Sequence, residues 1–384
     1  ANSAPFRVRL KTESLRAAGL TFPATTLDLS YLNNNFTLDA KGAALDGTAR
    51  YQAPDNAHPA GQLSLKLSKL YVQTKPDSST TSKTSGTTHS APSPITAWDL
   101  ARIPDAHIDI TDLKHNANEL GQLSFTLDRS QSPPQSAPVL QISALDWQPT
   151  ASIQMTGQGF IAGLGVGQQT HLDVSASGSA FGAMLKRALG SSPIQGGSIK
   201  TADFSLQWPG APSAFALERL NGSGQFELIQ GQLNDVDPGA GRLAGLLSLS
   251  ALTRRLRMDF SDVVDQGLQF DSLSAQWQLK QGELTVAPLT LKNAALTAVA
   301  EGTSSLGTQS LNYTVHIYAD IGMLLPIIGT VAGGPIVGGA VLALQQAFSA
   351  LNKNPAPTIT YHIGGRVDQP IVKTINTNAE APNP

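Results

Sequence analysis

Apolar and polar residues alternate with a period of two in many short stretches of this chain. Successive side chains of a β-strand point to opposite faces, so this pattern predicts strands with one apolar face and one face in water. The rows are Leu63, Leu65 and Leu67; Leu123, Phe125 and Leu127; Phe204, Leu206 and Trp208; Phe226 and Leu228; Ala275, Trp277 and Leu279; and Tyr313, Val315 and Ile317. The chain is therefore predicted to be mainly β.

Glycine beside a polar residue separates several of these rows, at Asp46-Gly47, Asn221-Gly222 and Gln281-Gly282. Such pairs favour tight hairpin turns, whereas a parallel sheet needs long, usually helical, crossovers. We therefore expect a long meander of antiparallel strands.

Three segments are predicted to be helical. Ala180 to Leu189 is short and ends before Gly190, a residue that favours a helix C-terminus. Arg242 to Leu256 has leucines over more than half of a helical wheel, which is typical of a buried or lipid-facing helix. The arginines at its end, Arg254, Arg255 and Arg257, stabilise the helix C-terminus and pair with Asp259 or Asp262, or else contact anionic lipid head groups.

The third segment, from Ile321 to Phe348, contains no charged residue. Pro326, Pro335 and six glycines interrupt it, so we expect a broken helical hairpin over 321–352 in place of one spanning helix. Its apolar residues contact a membrane or plug the end of the sheet's apolar face, and the sequence leaves both readings open. The candidate membrane-contacting residues are Leu324, Leu325, Ile327, Ile328, Val337, Val341, Leu344 and Phe348.

Two stretches are rich in Ser, Thr and Pro. In the segment from Thr74 to Pro94, more than half of the residues are Ser or Thr, and none is a large apolar residue. Such a segment cannot bury enough surface to offset its ordering entropy, so we predict a disordered loop that the fold does not need. Residues Ser130 to Pro138 are expected to form a shorter loop.

Composition excludes several classes of function. The chain has 26 basic and 28 acidic residues, which disfavours nucleic acid as a partner. It has no cysteine, so disulfides and thiolate chemistry are ruled out. The seven histidines are scattered and show no metal-ligand spacing.

Two motifs partly match known ligand-binding sequences, but each lacks a feature that the site requires. Asp235-Val236-Asp237 begins like a calcium loop, but position 12 is Leu246, not the required glutamate. The run from Gly157 to Ala162 matches a dinucleotide fingerprint in letters only, because the glycines that follow disfavour the required helix. A glycine-rich hairpin turn is the preferred interpretation. We expect no enzyme activity, no metal and no cofactor.

Several motifs in the second half of the chain together resemble one family. They are Trp208-Pro209-Gly210, Pro238 to Arg242, Gly245 to Leu249, Arg254-Arg255-Leu256, Asp259-Phe260, Phe270-Asp271, Gly333-Gly334-Pro335 and Tyr361 to Gly365. With them the chain resembles the C-terminal region of the YhdP-type branch of the AsmA-like envelope proteins. It departs from this pattern between Arg366 and Pro370, where relatives usually have a tryptophan shortly before the aspartate and proline.

The resemblance implies an elongated, curled antiparallel β-sheet that forms an open groove in the periplasm of a Gram-negative bacterium. It implies that the groove carries phospholipid acyl chains between the inner and outer membranes, this chain being the end near the outer membrane. It also implies an inner-membrane anchor, an N-terminal helix that is not in this chain. The expected partners are phospholipids and the outer-membrane surface or one of its proteins.

The expected organisation is a β-repeat segment at 1–73, the loop at 74–94, a β-groove at 95–320 with the helix near 242–256, the hairpin at 321–352, and a terminal strand and flexible tail at 353–384. The candidate lipid-binding residues are Leu63, Leu65, Leu67, Leu123, Phe125, Leu127, Phe204, Leu206, Phe226, Leu228, Trp277 and Leu279. The alternative function is a scaffold that binds strands of outer-membrane proteins by β-addition.

Liposome flotation tests the membrane reading of residues 321–352. The wild-type chain is expected to float with vesicles, and a variant with Leu344→Glu and Phe348→Glu is expected to stay at the bottom, because two charges on the apolar side oppose burial in the interface. If the wild type does not float, or if the variant floats equally well, only the plug reading survives.

Overall fold

The structure is a computed structural model that describes residues 5–17, 20–73, 96–116, 118–129, 138–189, 192–233, 268–294, 296–319, 359–367 and 369–375. Within these residues, hydrogen bonds join 18 strands in one sheet. The strands are β1 (Phe6–Ala17), β2 (Leu20–Leu32), β3 (Asn35–Gly42), β4 (Leu45–Gln52), β5 (Gln62–Val72), β6 (Asp105–His115), β7 (Asn118–Arg129), β8 (Val139–Thr150), β9 (Ile153–Ala162), β10 (Gln169–Gly178), β11 (Ile194–Pro209), β12 (Asn221–Leu233), β13 (Leu268–Lys280), β14 (Glu283–Lys292), β15 (Leu296–Ser305), β16 (Ser310–Ala319), β17 (Ile359–Arg366) and β18 (Gln369–Ile375).

Helical structure is sparse in the described residues. One α-helix, α1, spans Phe181–Leu189, and short 3-10 turns lie at Gly165–Gly167, Pro212–Ala214 and Leu217–Arg219. The predicted fold class, a mainly β chain built on antiparallel strands with few helices, is confirmed. The predicted helix at Ala180 to Leu189 is confirmed as α1.

The chain divides into two compact units, which are described separately. The first comprises Ala1–Ala176 and Ser205–Arg219, and the second comprises Ser177–Phe204 and Leu220–Pro384. In the first unit, strands β1 to β9 pair with their neighbours in sequence order, and all but one of these pairs are antiparallel. In the second unit, β12 to β18 form a purely antiparallel series.

The exception is the pair β5 and β6, which is parallel. Gln62 lies opposite Asp105, and Val72 lies opposite His115. The expectation of hairpins throughout was wrong at this step, since a parallel pair needs a connection that returns to the end where the first strand began. Asp105 lies at that end, where its amide donates to the carbonyl of Gly61 at 3.1 Å.

The predicted hairpin turns are partly right. Gln281-Gly282 joins β13 and β14 with φ angles of 50° and 78°, the left-handed pair that a type I′ turn requires. Asp46-Gly47 lies inside β4, where the register with β5 shifts, so it forms a bulge and not a turn. Asn221-Gly222 begins β12.

The prediction of a hairpin turn from Gly157 to Ala162 was also wrong. These residues belong to β9, and the turn follows at residues 163–168. Gly157 and Gly159 face the backbone of β10 closely, because a Cβ atom at Gly157 would clash with the carbonyl oxygen of Asp173. Close strand packing, not turn geometry, explains these two glycines.

Several predicted elements lie outside the described residues. They are the loop at 74–94, most of the loop at 130–138, the helix at 242–256 with its arginines, the Asp235-Val236-Asp237 motif, the hairpin at 321–352 with all eight membrane-contacting candidates, and the tail after Ile375. In the part of the chain that the structure describes, no helix is both long enough and apolar enough to cross a membrane.

The parallel pair changes the expectation for residues 74–94. The chain leaves β5 at one end of the strand and enters β6 at the other, and 11 residues of strand cover roughly 33 Å. Deleting Thr74 to Pro94 would leave three Cα steps between Val72 and Thr96, which reach about 10 Å.

Outright deletion of these residues is therefore expected to destabilise the fold, whereas a Gly/Ser linker of equal length is expected to leave it unchanged. The deletion is expected to lower the free energy of unfolding by at least about 2 kcal/mol, because it pulls the fully buried Leu100 out of its contacts. Urea denaturation of both variants measures this. Equal stability of the deletion variant and the wild type would show that Leu100 keeps its contacts without these residues.

Candidate functional site

The register of the first unit aligns apolar side chains in rows that cross the strands. Residues opposite each other in paired strands point to the same face, so a chain of partners defines one row. Row one is Phe6, Tyr31, Phe36, Tyr51, Leu63, Ala106, Leu127 and Ile142; row two is Val8, Leu29, Leu38, Ala49, Leu65, Ile108 and Phe125; row three is Leu10, Leu27, Ala40, Gly47, Leu67, Ile110, Leu123, Trp147 and Met155. These rows form the first apolar face.

The opposite face of the same strands is polar. Arg9 of β1 donates to both carboxylate oxygens of Asp28 in β2, at 2.8 and 3.0 Å, and this hydrogen bonding lowers the pKa of Asp28. Thr48 donates to Asp39 at 2.6 Å between β4 and β3. Charged and hydrogen-bonding groups thus lie on the side away from rows one to three.

Row one begins with four aromatic rings. Phe6 and Tyr31 stack with their centroids 5.7 Å apart, Tyr31 and Phe36 are 4.7 Å apart, and Phe36 and Tyr51 are 6.4 Å apart. The two phenol groups have partners, because Tyr31 donates to Asn34 and Tyr51 donates to the carbonyl of Ala60. The aromatic row therefore offers ring surface without an unpaired hydroxyl.

Exposure differs along the first apolar face. On β1, Val8 is 52% exposed and Leu10 is 54% exposed. On β8 and β9, Leu140 is 1% exposed and Ile161 is fully buried. The face is thus open at β1 and covered near β8 and β9.

The cover is the segment Thr96–Pro104, which precedes β6 and is called the cover segment below. Its Leu100 is fully buried in a cluster with Ala106, Leu127, Leu140, Ile142 and Ile161, and Leu63 and Phe125 pack against that cluster. Gln168, also fully buried, holds the backbone of Trp98: its Oε1 accepts from the Trp98 amide at 2.9 Å and its Nε2 donates to the Trp98 carbonyl at 3.0 Å.

The second unit repeats the arrangement of rows. Row four is Gly224, Trp277, Val286, Gly302, Tyr313, Ile363 and Val372; row five is Phe226, Ala275, Leu289, Ala300, Val315 and Tyr361; row six is Leu228, Leu273, Leu291, Ala298, Ile317 and Ile359. Val315, Ile317 and Tyr361 are fully buried. These rows form the second apolar face.

Glycines let aromatic rings lie flat on the strands of this unit. A Cβ atom at Gly224 would come within 2.6 Å of the Trp277 indole, and one at Gly231 would overlap the Phe270 ring. Each glycine lies directly opposite its aromatic partner. The ring of Trp277 also stacks on Phe204, with a centroid separation of 6.0 Å.

Seven of the candidates predicted from the sequence belong to the first unit, and six of them lie on the first apolar face. Leu63 and Leu127 lie in row one, Leu65 and Phe125 in row two, and Leu67 and Leu123 in row three. In the second unit, Trp277, Phe226 and Leu228 lie in rows four to six, and Phe204 contacts Trp277. Leu279 is buried between Gly222 and Leu284. Leu206, the seventh candidate of the first unit, is half-buried in β11.

Sequence reasoning missed two parts of the first apolar face. The contributions of β1 to β4 show the same period-two signal, at Phe6, Val8 and Leu10 and at Leu27, Leu29 and Tyr31, and could have been found. Leu100 carries no such signal, since it lies in an irregular segment between Asp99 and Ala101.

The family model described as YhdP protein matches residues 1–372 of the chain. The chain belongs to the YhdP family. The resemblance inferred from the sequence motifs is therefore confirmed, and it extends over the divergent first half as well. The first and second apolar faces are thus features of a YhdP-family chain.

A relative of this YhdP-family chain is the Intermembrane phospholipid transporter YhdP of Escherichia coli (strain K12). It is 29% identical over 184 residues, which are 48% of this chain and 14% of the relative. The chain thus matches only a small part of the length of that relative. No solved structure matches the chain.

Two alanine substitutions distinguish the covered from the open part of the first apolar face. Leu140→Ala is expected to cost about 2–5 kcal/mol of unfolding free energy, because it leaves a cavity in the cluster around Leu100. Val8→Ala is expected to cost under about 1 kcal/mol, because half of this side chain is already in water.

Chemical denaturation of the full chain measures both changes. A large loss with Val8→Ala would show that the face is packed at β1, and a small loss with Leu140→Ala would show that the cluster is loose.

Proposed function

We propose that this chain carries phospholipids, without enzymatic chemistry, by holding their acyl chains against its apolar faces. The observation that supports this most is the continuity of the rows. Row one passes through eight successive strands and row three through nine, with no charged residue in either. Nine strands at about 4.8 Å spacing extend about 38 Å.

This length favours a path over a single pocket. The hydrocarbon core of a bilayer, which holds two acyl chains end to end, is about 30 Å thick. An acyl chain in the first apolar face would therefore fill less than half of row three and could occupy many overlapping positions. A surface without discrete polar anchors suits a ligand that has to move along it.

Water is a poor partner for the open part of this face. Phe6, Val8 and Leu10 are each 44–54% exposed on one side of β1. Contiguous exposed apolar surface usually marks a binding site for an apolar partner. Phospholipid is the partner that the name of the Escherichia coli relative indicates, and acyl chains match the chemistry of the rows.

The finer parts of the proposal rest on the family. The chain would lie in the periplasm, within a longer protein held in the inner membrane by an N-terminal helix, and near the outer membrane or one of its proteins. The apolar segment at 321–352 would make that contact. The candidate lipid contacts are the sequence-predicted residues on rows one to six, together with Phe204, Leu206 and Leu279.

Adjacent residues of β5 provide a matched test. Leu65 and Ser64 are both half-buried, but Leu65 lies in row two and Ser64 lies on the polar face opposite Arg50. Leu65→Asp is expected to abolish most lipid binding, because a carboxylate in the row opposes burial of an acyl chain. Ser64→Asp is expected to bind lipid as the wild type does.

The measurement is the amount of phospholipid that copurifies with each full chain, determined by mass spectrometry, with thermal unfolding as the check on folding. If Leu65→Asp retains lipid while folded, the first apolar face does not hold the acyl chains. If the wild type carries no lipid but captures unfolded outer-membrane protein strands, the scaffold function replaces this proposal.

A further inference from the structure

We infer that the cover segment, Thr96–Pro104, is a movable lid that competes with acyl chains for the first apolar face. The inference rests on the proposed function and adds a controlled step to it. Leu100 occupies the apolar volume above row one, where it touches the same side chains that an acyl chain would touch. Lipid and lid therefore cannot occupy this part of the face together.

The lid is anchored by little apolar surface. Leu100 is its one fully buried side chain, and half-buried Ile103 packs against the same cluster at the β6 end, whereas Thr96 to Asp99, Ala101 and Arg102 are exposed. A leucine is an aliphatic group similar in chemistry to a short piece of acyl chain. When lipid replaces it, the cluster keeps its apolar contacts, so the cluster itself gives no strong preference for the closed position.

The two ends of the lid are held differently. At the β6 end, Arg129 donates to the carbonyl of Ile103 at 2.7 Å, and the Arg129 amide donates to Asp105 at 2.9 Å. These are charge-assisted contacts beside a continuous strand. This end has the character of a hinge.

The other end is held by neutral hydrogen bonds. They are the two bonds between Gln168 and Trp98, the bond from the Ala211 amide to the Thr96 carbonyl at 2.8 Å, and the contact between the hydroxyls of Thr96 and Ser213 at 3.2 Å. Neutral bonds of this kind each contribute little net free energy. This end can therefore release while the hinge stays in place.

A disulfide can lock the releasing end. The side-chain oxygens of Thr96 and Ser213 are 3.2 Å apart and the natural chain has no cysteine, so Thr96→Cys with Ser213→Cys creates the only possible disulfide. The matched control is Asp39→Cys with Thr48→Cys, a pair 2.6 Å apart on the polar face. Gln168→Ala is the opposite variant, since it removes both bonds to Trp98.

The assay is exchange of phosphatidylethanolamine with a fluorescent acyl chain between each full-chain protein and vesicles of phosphatidylethanolamine and phosphatidylglycerol. Oxidation of the Thr96/Ser213 pair is expected to slow exchange by at least about tenfold, because the releasing end can then no longer open at its four hydrogen bonds, and reductant should restore it. Exchange in the oxidised control pair should not change. Gln168→Ala should exchange several-fold faster.

The outcomes separate the lid from the proposed function. If wild type exchanges lipid and neither locking nor Gln168→Ala changes the rate, the segment is a fixed structural cover and the lid is refuted while the lipid function stands. If wild type takes up no lipid, the proposed function fails and the lid fails with it. If the disulfide forms incompletely, a normal rate in Gln168→Ala alone refutes the lid.

Discussion

The structure depends on the register between strands that alternate with a period of two. A slip of one residue would turn every apolar side chain of a strand to the polar face, so each pair must be held in place. Cross-strand polar pairs, such as Arg9 with Asp28 and Thr48 with Asp39, hold the register on the polar face. The rows on the apolar side follow from those pairings.

Bulges preserve this arrangement where strands bend. In β8, Ile142 lies in row one and Trp147 lies in row three, so both side chains point to the apolar face. In a regular strand, two residues five positions apart would point to opposite faces. The extra residue is accommodated near Ala144, which has a φ of 49°. The same device in β14 keeps Val286 and Leu289 on one face. Bending and a continuous apolar face are thus compatible.

The two units differ in how their apolar faces are shielded from water. In the second unit, glycine opposite an aromatic ring gives a close, flat fit, and Val315 and Tyr361 of row five and Ile317 of row six are fully buried. In the first unit, one short segment covers part of the face and leaves the side chains of β1 half exposed. Under the proposed function, a face has to offer apolar surface without becoming a closed core, and the half-exposed side chains of β1 meet that condition.

The sequence by itself determined that the chain is mainly β, where most apolar rows lie, that α1 forms, and to which family the chain belongs. Alternation and helical periodicity are local, so Leu63, Phe125 and Trp277 could be assigned to apolar faces from their neighbours alone. The aromatic row of β1 to β4 was equally visible in principle. Only the tertiary structure decided that β5 and β6 are parallel, that Gly47, Gly157 and Gly159 lie inside strands, and that Leu100 covers row one. These features depend on contacts between residues distant in the sequence, as when Gln168 holds the backbone of Trp98, and no local pattern encodes such contacts.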